Sequence, residues 1–165
     1  ERLPEDGTPL AIVGVEEVIA LFHKVCRRAS LIEGGVRGNP DSFDAQRLHD
    51  AAWELARPVL EKEAEAAAAR FVEMRGTELA AAKLKEIGPA VATGRVESLL
   101  IAADQCIWGQ LGEDGHVEVH RERERGDVDL LDRLAILGLQ RGSDVIARRS
   151  ARLPDGAAAA AVLRY

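Results

Sequence analysis

The chain has 165 residues, a net charge of −6, 47% hydrophobic residues and only 4% aromatic ones, so one domain with a core of Leu, Val, Ile and Ala is expected. The acidic balance excludes a general nucleic-acid surface, because affinity for phosphate comes mainly from Lys and Arg; any RNA contact must be local. No run approaches the roughly 20 apolar residues of a membrane span and no secretory leader opens the chain, which excludes a membrane-spanning helix and leads us to expect a cytoplasmic protein.

Residues 1–9 read as an irregular lead-in. Leu10-Ala11-Ile12-Val13 is a short apolar run stopped by Gly14, which predicts a buried strand. Val15, Val18, Ile19, Phe22 and Val25 then recur at three- and four-residue steps, with Glu16 and Glu17 in the first turn and Lys24, Arg27 and Arg28 in the last. That is an amphipathic helix whose charges suit its dipole. Gly34, Gly35, Gly38 and Pro40 mark residues 30–43 as a loop.

From Asp44 to Arg75 the pattern is helical, and Trp53, Ala56, Leu60, Ala64, Ala67, Phe71 and Met74 fall on one stripe. A helix of about 32 residues would run about 48 Å, with a kink expected at Pro58. The stripe predicts core packing, and the length beyond a small domain suits pairing with a partner helix. A second helix is predicted from Thr77 to about Val91, so that residues 44–92 read as one long helical insertion.

Gly94 turns the chain into Val96 to Ala103, a run too apolar and too short for a surface helix and best placed in a strand covered on both faces. Residues 116–124 alternate in type, as a half-exposed strand or a hairpin around Glu113-Asp114-Gly115 does. Asp127 is placed to cap a helix running through Ala135 to Gln140, ended by Gly142. Val145 and Ile146 lie in a strand, Pro154-Asp155-Gly156 turns, and Ala159 to Tyr165 is a last central strand. Strands alternating with helices define an α/β sandwich with a mixed sheet.

Little in this chain resembles a catalytic constellation. His116, Glu118 and His120 share one side of an alternating segment and would suit a metal, but Glu122 and Glu124 continue that side and Arg121, Arg123 and Arg125 the other, as on a solvated edge. Residues 33–38 would cradle an anion only with the Gly-Lys-Ser/Thr ending they lack, so turn chemistry is the better reading. Asp127, Asp129 and Asp132 crowd a helix start, where the macrodipole attracts carboxylates in any case. Cys26 and Cys106 form no CxxC pair and read as small buried hydrophobes in a reducing compartment. His23 and His49 are expected at the surface. No nucleophile elbow, zinc-ligand helix or nucleotide fingerprint occurs, so no catalytic, cofactor-binding or metal residue is assigned and a hydrolase is the weakest reading.

Gly94-Arg95-Val96-Glu97-Ser98-Leu99-Leu100-Ile101-Ala102 with Ala160-Ala161-Val162-Leu163-Arg164-Tyr165 resembles two strands of the C-terminal domain of the archaeal and eukaryotic class-1 peptide-chain release factors and of pelota. Asp127, Asp129-Leu130-Leu131, Leu134-Ala135 and Gly142 fit that domain's next helix, and Leu153-Pro154-Asp155-Gly156 the turn before its last strand. Gly38-Asn39-Pro40-Asp41 and Leu48-His49 to Ala52-Trp53 resemble the bacterial branch of the same superfamily. The resemblance implies a three-layer α/β/α sandwich, similar to the kink-turn-binding ribosomal proteins, in a single domain over 1–165 taken from a longer chain, for which the only methionine, Met74, also speaks.

It also implies a function. Such a domain is non-catalytic and docks a protein, a translational GTPase or the ribosome, in translation termination or ribosome rescue. The Gly-Gly-Gln loop that hydrolyses peptidyl-tRNA in those factors lies in another domain, and here Gly34-Gly35 is followed by Val36. The alternative is an RNA-binding module of the kink-turn type, for which the nearest basic cluster is Arg121, Arg123 and Arg125 with Arg148, Arg149 and Arg152.

Overall fold

The computed structural model describes residues 8–165, so residues 1–7 of the expected lead-in lie outside it. The described residues divide into two compact units, with the boundary between Glu63 and Ala64.

The first unit is built on a βαβ turn. Strand β1 (Val13–Gly14) leads into helix α1 (Glu16–Val25), and the chain returns as β2 (Val36–Arg37), parallel to β1 with Val13 opposite Val36. A bridge between Leu10 and Leu31 extends the contact. The expected strand at residues 10–13 is thus a short ladder of its own, half-buried, and the expected loop at 30–43 contains β2 and a single 3-10 turn, Pro40–Ser42. Gly35 permits this closeness: a Cβ there would lie 2.9 Å from the Ile12 carbonyl and 3.0 Å from the Ile19 side chain. Two-residue strands cover little helix surface. Of the expected apolar face of α1, Ile19 is buried, while Val15, Val18 and Val25 are exposed.

Helix α2 (Ala45–Met74) starts at Asp44, whose Oδ1 accepts the Arg47 amide at 2.7 Å. It runs through Pro58, whose missing N–H removes one backbone bond without ending the helix. Its stripe divides: Ala64 and Phe71 are buried, whereas Trp53 is exposed and stacks on His49 with planes 4° apart.

The second unit continues as β3 (Ala80–Ala81), α3 (Leu84–Ala92), β4 (Val96–Ala102), β5 (Trp108–Leu111), β6 (Val117–Val119), β7 (Val128–Asp129), α4 (Leu130–Gln140), β8 (Asp144–Arg148) and β9 (Ala159–Leu163). The larger sheet has the order β3-β9-β4-β8 and is mixed: β9 is antiparallel to both its neighbours, and β8 is parallel to β4. The two strands read from the sequence as central, β4 and β9, are its middle pair. Leu99 and Leu100 are fully buried, as are Ala159, Ala160 and Ala161. Burying a leucine is worth about 1.5–3 kcal/mol, and the alanines opposite let other side chains approach the sheet. Helices α3 and α4 pack on each other and on the sheet, and Ala67, Ala68 and Phe71 of α2 join the same core.

The predicted helix at 77–91 is corrected. Ala80 and Ala81 pair with Val162 and Ala161 as an edge strand, and only Leu84–Ala92 is helical. Alanine's helix propensity is below a kilocalorie per residue, about what one ladder bond and a buried methyl offset. The helical insertion therefore does not extend unbroken over 44–92. Gly88 and Pro89 lie within α3, and Gly88 is buried against the Gly115 carbonyl of the β5–β6 turn.

Candidate functional site

The three-stranded sheet β6-β5-β7 carries the densest polar arrangement in the second unit. Val119 pairs with Gly109 and Val117 with Leu111 across β5 and β6, while Asp129 pairs with Trp108 across β5 and β7. Gly109 is required here, since a Cβ would strike the Glu118 carbonyl and come within 2.8 Å of the Leu130 side chain. The expected alternating strand at 116–124 ends at Val119; beyond it residues 120–127 form a loop.

A clasp closes that loop. The His120 amide donates to the Trp108 carbonyl at 2.9 Å, and its Nδ1 lies 2.9 and 3.0 Å from the two carboxylate oxygens of Asp127. Asp127 also accepts the Glu124 amide at 2.8 Å, and its side chain is fully buried. The Asp127 hydrogen bond raises the His120 pKa above its usual value, outweighing the burial that would lower it. For Asp127, burial alone would push the carboxyl up; the Glu124 amide and His120 outweigh it, and the pKa falls below the usual carboxylate value. At the loop's tip the Arg123 guanidinium lies 4.4 Å from the centre of the Trp108 ring. Arg121, Glu122, Glu124 and Arg125 are exposed.

Asp127 is therefore not the helix cap. That role belongs to Asp129, whose carboxylate accepts the Leu131 amide at 3.0 Å. The spacing of the two aspartates made both plausible, and only the position of His120 decides between them. The His116 amide bonds to Asp114, and its side chain is not grouped with Glu118 and His120, so the three residues read together as a metal motif do not form a ligand set. Among the described residues no group of three His, Cys, Asp or Glu side chains is placed to hold a metal ion. The neighbours of the His120 ring are Asp127 and, 3.6 Å from Nε2, Glu118; neither is a nucleophile a base could activate.

The remaining candidates are scattered. Cys106 is exposed in the β4–β5 loop, contrary to expectation, because β4 ends at Ala102 and releases the chain; partial loss of water around the sulfur and a hydrogen bond to Asp129 push its thiol pKa up, away from reactivity. Cys26 is half-buried. His23, expected at the surface, is half-buried with Nε2 2.7 Å from the Gly34 carbonyl, which ties α1 to the glycine loop. Gly34 has φ +81° and the loop runs into a strand, not a helix, so it is a turn and not an anion cradle. In the first unit a cleft of about 400 Å³ is lined by Ser30, Leu31, Ile32, Glu33, Leu55 and Glu63 among others; no histidine lines it beside the Ser30 hydroxyl and the two carboxylates.

The second unit is thus a mixed helix-and-sheet fold that presents a loop closed by His120 and Asp127. The chain belongs to the bacterial archaeo-eukaryotic release factor family 3, whose model matches residues 1–95. Its fold is that of the C-terminal domain of the Methanosarcina mazei peptide chain release factor, 16% identical, with a TM-score of 0.55 over 75% of this chain and 97% of that domain. Archaeal pelota in a structure of ribosome-bound pelota and ABCE1 matches with the same TM-score and 16% identity over 91% of this chain, which spans 40% of that protein. No curated protein sequence matches significantly. The family match covers the first 95 residues, whereas the motifs that suggested the resemblance lie mostly from residue 90 onward. Among the described residues no helix is long and apolar enough to cross a membrane.

Proposed function

We propose that residues 1–165 act as one non-catalytic docking domain in translation termination or ribosome rescue, binding a protein partner such as a translational GTPase or a component of the ribosome. The observation that carries this reading is the match to nearly the whole of a release factor's C-terminal domain, joined to membership of a release-factor family. The site supports it in kind. Loop 120–127 is closed by the His120–Asp127 pair and by Arg123 on Trp108, so its exposed charges are held in place before any partner arrives, which lowers the ordering cost of binding.

RNA has weaker support. Of the six arginines considered, Arg123 stacks on Trp108, and Glu122 and Glu124 alternate with Arg121, Arg123 and Arg125, so no stripe of one sign is presented. A tagged chain passed through bacterial lysate, with parallel sedimentation over a sucrose cushion, tests the proposal. Enrichment of ribosomes or of a translational GTPase is expected, insensitive to nuclease if protein is the partner. Recovery of neither would overturn it.

A further inference from the structure

Strand β8 is the outer strand of the larger sheet: one side pairs in parallel with β4, and no strand among the described residues lies on the other. Beyond that ladder, its only backbone bond among the described residues runs from the Ala103 amide to the Arg148 carbonyl at 2.7 Å. An open edge offers unpaired N–H and C=O groups to a further strand, and proteins usually guard it with a central lysine, a proline or a bulge. Here the strand reads Asp144-Val145-Ile146-Ala147-Arg148, and its register with β4 is regular.

Its charges are placed at the two ends with opposite sign. Pairing this strand antiparallel with a copy of itself about Ile146 sets Asp144 opposite Arg148 twice, Val145 opposite Ala147 twice, and Ile146 opposite itself. A parallel pair would instead set like charges side by side. No salt bridge within the described residues engages Asp144 or Arg148, so both are available. A Cβ on Gly138 would lie 3.2 Å from Val145 Cγ2, which places Val145 toward α4 and, by the two-residue period of a strand, the charged pair and Ile146 on the other face. On the α4 face, Ile136 and Leu139 are 39% and 63% exposed. A two-fold axis normal to the sheet brings both α4 helices to the same face of the joined sheet.

We propose that the partner of this edge is a second copy of the chain, joined through β8 about a two-fold axis at Ile146. This goes beyond docking to the translation machinery and does not depend on it. Sedimentation velocity over a concentration series tests it on the intact chain, with far-UV circular dichroism confirming that each variant is folded. A concentration-dependent dimer is expected for the wild type. Asp144→Arg and Arg148→Asp should each weaken it at least about tenfold, and the double variant D144R/R148D should restore it, because the ion pairs re-form with their signs exchanged. A wild type that stays monomeric, single variants that dimerise unchanged, or a double variant no better than the singles would each overturn the proposal.

Discussion

The His120 imidazole reaches both carboxylate oxygens of Asp127, at 2.9 and 3.0 Å, across the neck of the loop that joins β6 to β7. Two titrations meet in that contact. The His120 pKa is raised above 6.5, so what its charge adds to folding is fully present below pH 6.5 and lost as pH rises through the folded value. The Asp127 pKa is lowered below 3.8, so its contribution is present above pH 3.8 and lost as pH falls through the folded value. Both act together between 3.8 and 6.5.

Melting temperatures of the wild type and Asp127→Asn should therefore differ most within that window and differ less as pH rises past the folded pKa of His120, where the Glu124 amide bond of Asp127 remains. Hydrogen exchange at residues 121–126 should speed up in the variant over the same range. A difference that does not change with pH would mean the imidazole is uncharged in the fold.

Gly88 and Gly115 meet backbone to backbone, so Gly88→Ala sets two effects against each other. Alanine gains about 1 kcal/mol of helix propensity over glycine within α3. The added methyl, however, strikes the Gly115 carbonyl and comes within 2.6 Å of Val117 Cγ2, and overpacking of that kind costs typically 1–3 kcal/mol, more where backbone must move. Urea denaturation should show a net loss of about 1–2 kcal/mol. Gly94→Ala, with φ +70° and open space around it, should lose only about 1 kcal/mol, from backbone strain alone.

Asp129→Ala should cost about 1 kcal/mol, because it frees the Leu131 amide at the start of α4. Asp132→Ala, in the first turn but exposed and holding no amide, should stay within about 0.5 kcal/mol. Equal losses in thermal melts of the two variants would show that the dipole, not the cap, matters here.

Leu100→Ala opens a cavity on one face of the sheet at a fully buried position of β4 and should cost about 2–5 kcal/mol. Ser143→Ala removes a buried hydroxyl that donates to the Val96 carbonyl at 2.9 Å and should cost about 1 kcal/mol. Chemical denaturation distinguishes the two by this difference in size.

The polar clasp was hidden in the sequence for a specific reason. His120 and Asp127 are seven residues apart across a loop, a spacing with no regular period, and Asp127 satisfies the local rule for a helix cap just as Asp129 does. Trp108 under Arg123 is likewise a pair fifteen residues apart that only strand pairing brings together.

Sequence alone determined the middle of the larger sheet, the helices α1, α2 and α4 and the mixed α/β class, because continuous apolar runs and three-to-four-residue spacings are local statements about burial. Tertiary structure decided the rest. Residues 77–83 carry a helical composition yet begin an edge strand, since β9 offers ladder partners that outweigh alanine's preference. Residues 10–14 and 36–37 became a separate parallel pair, because two residues suffice for a ladder once α1 folds back over Gly35. The stripe on α2 predicts core packing, but burial depends on what lies opposite each turn, and Phe71 meets the core where Trp53 meets solvent and His49.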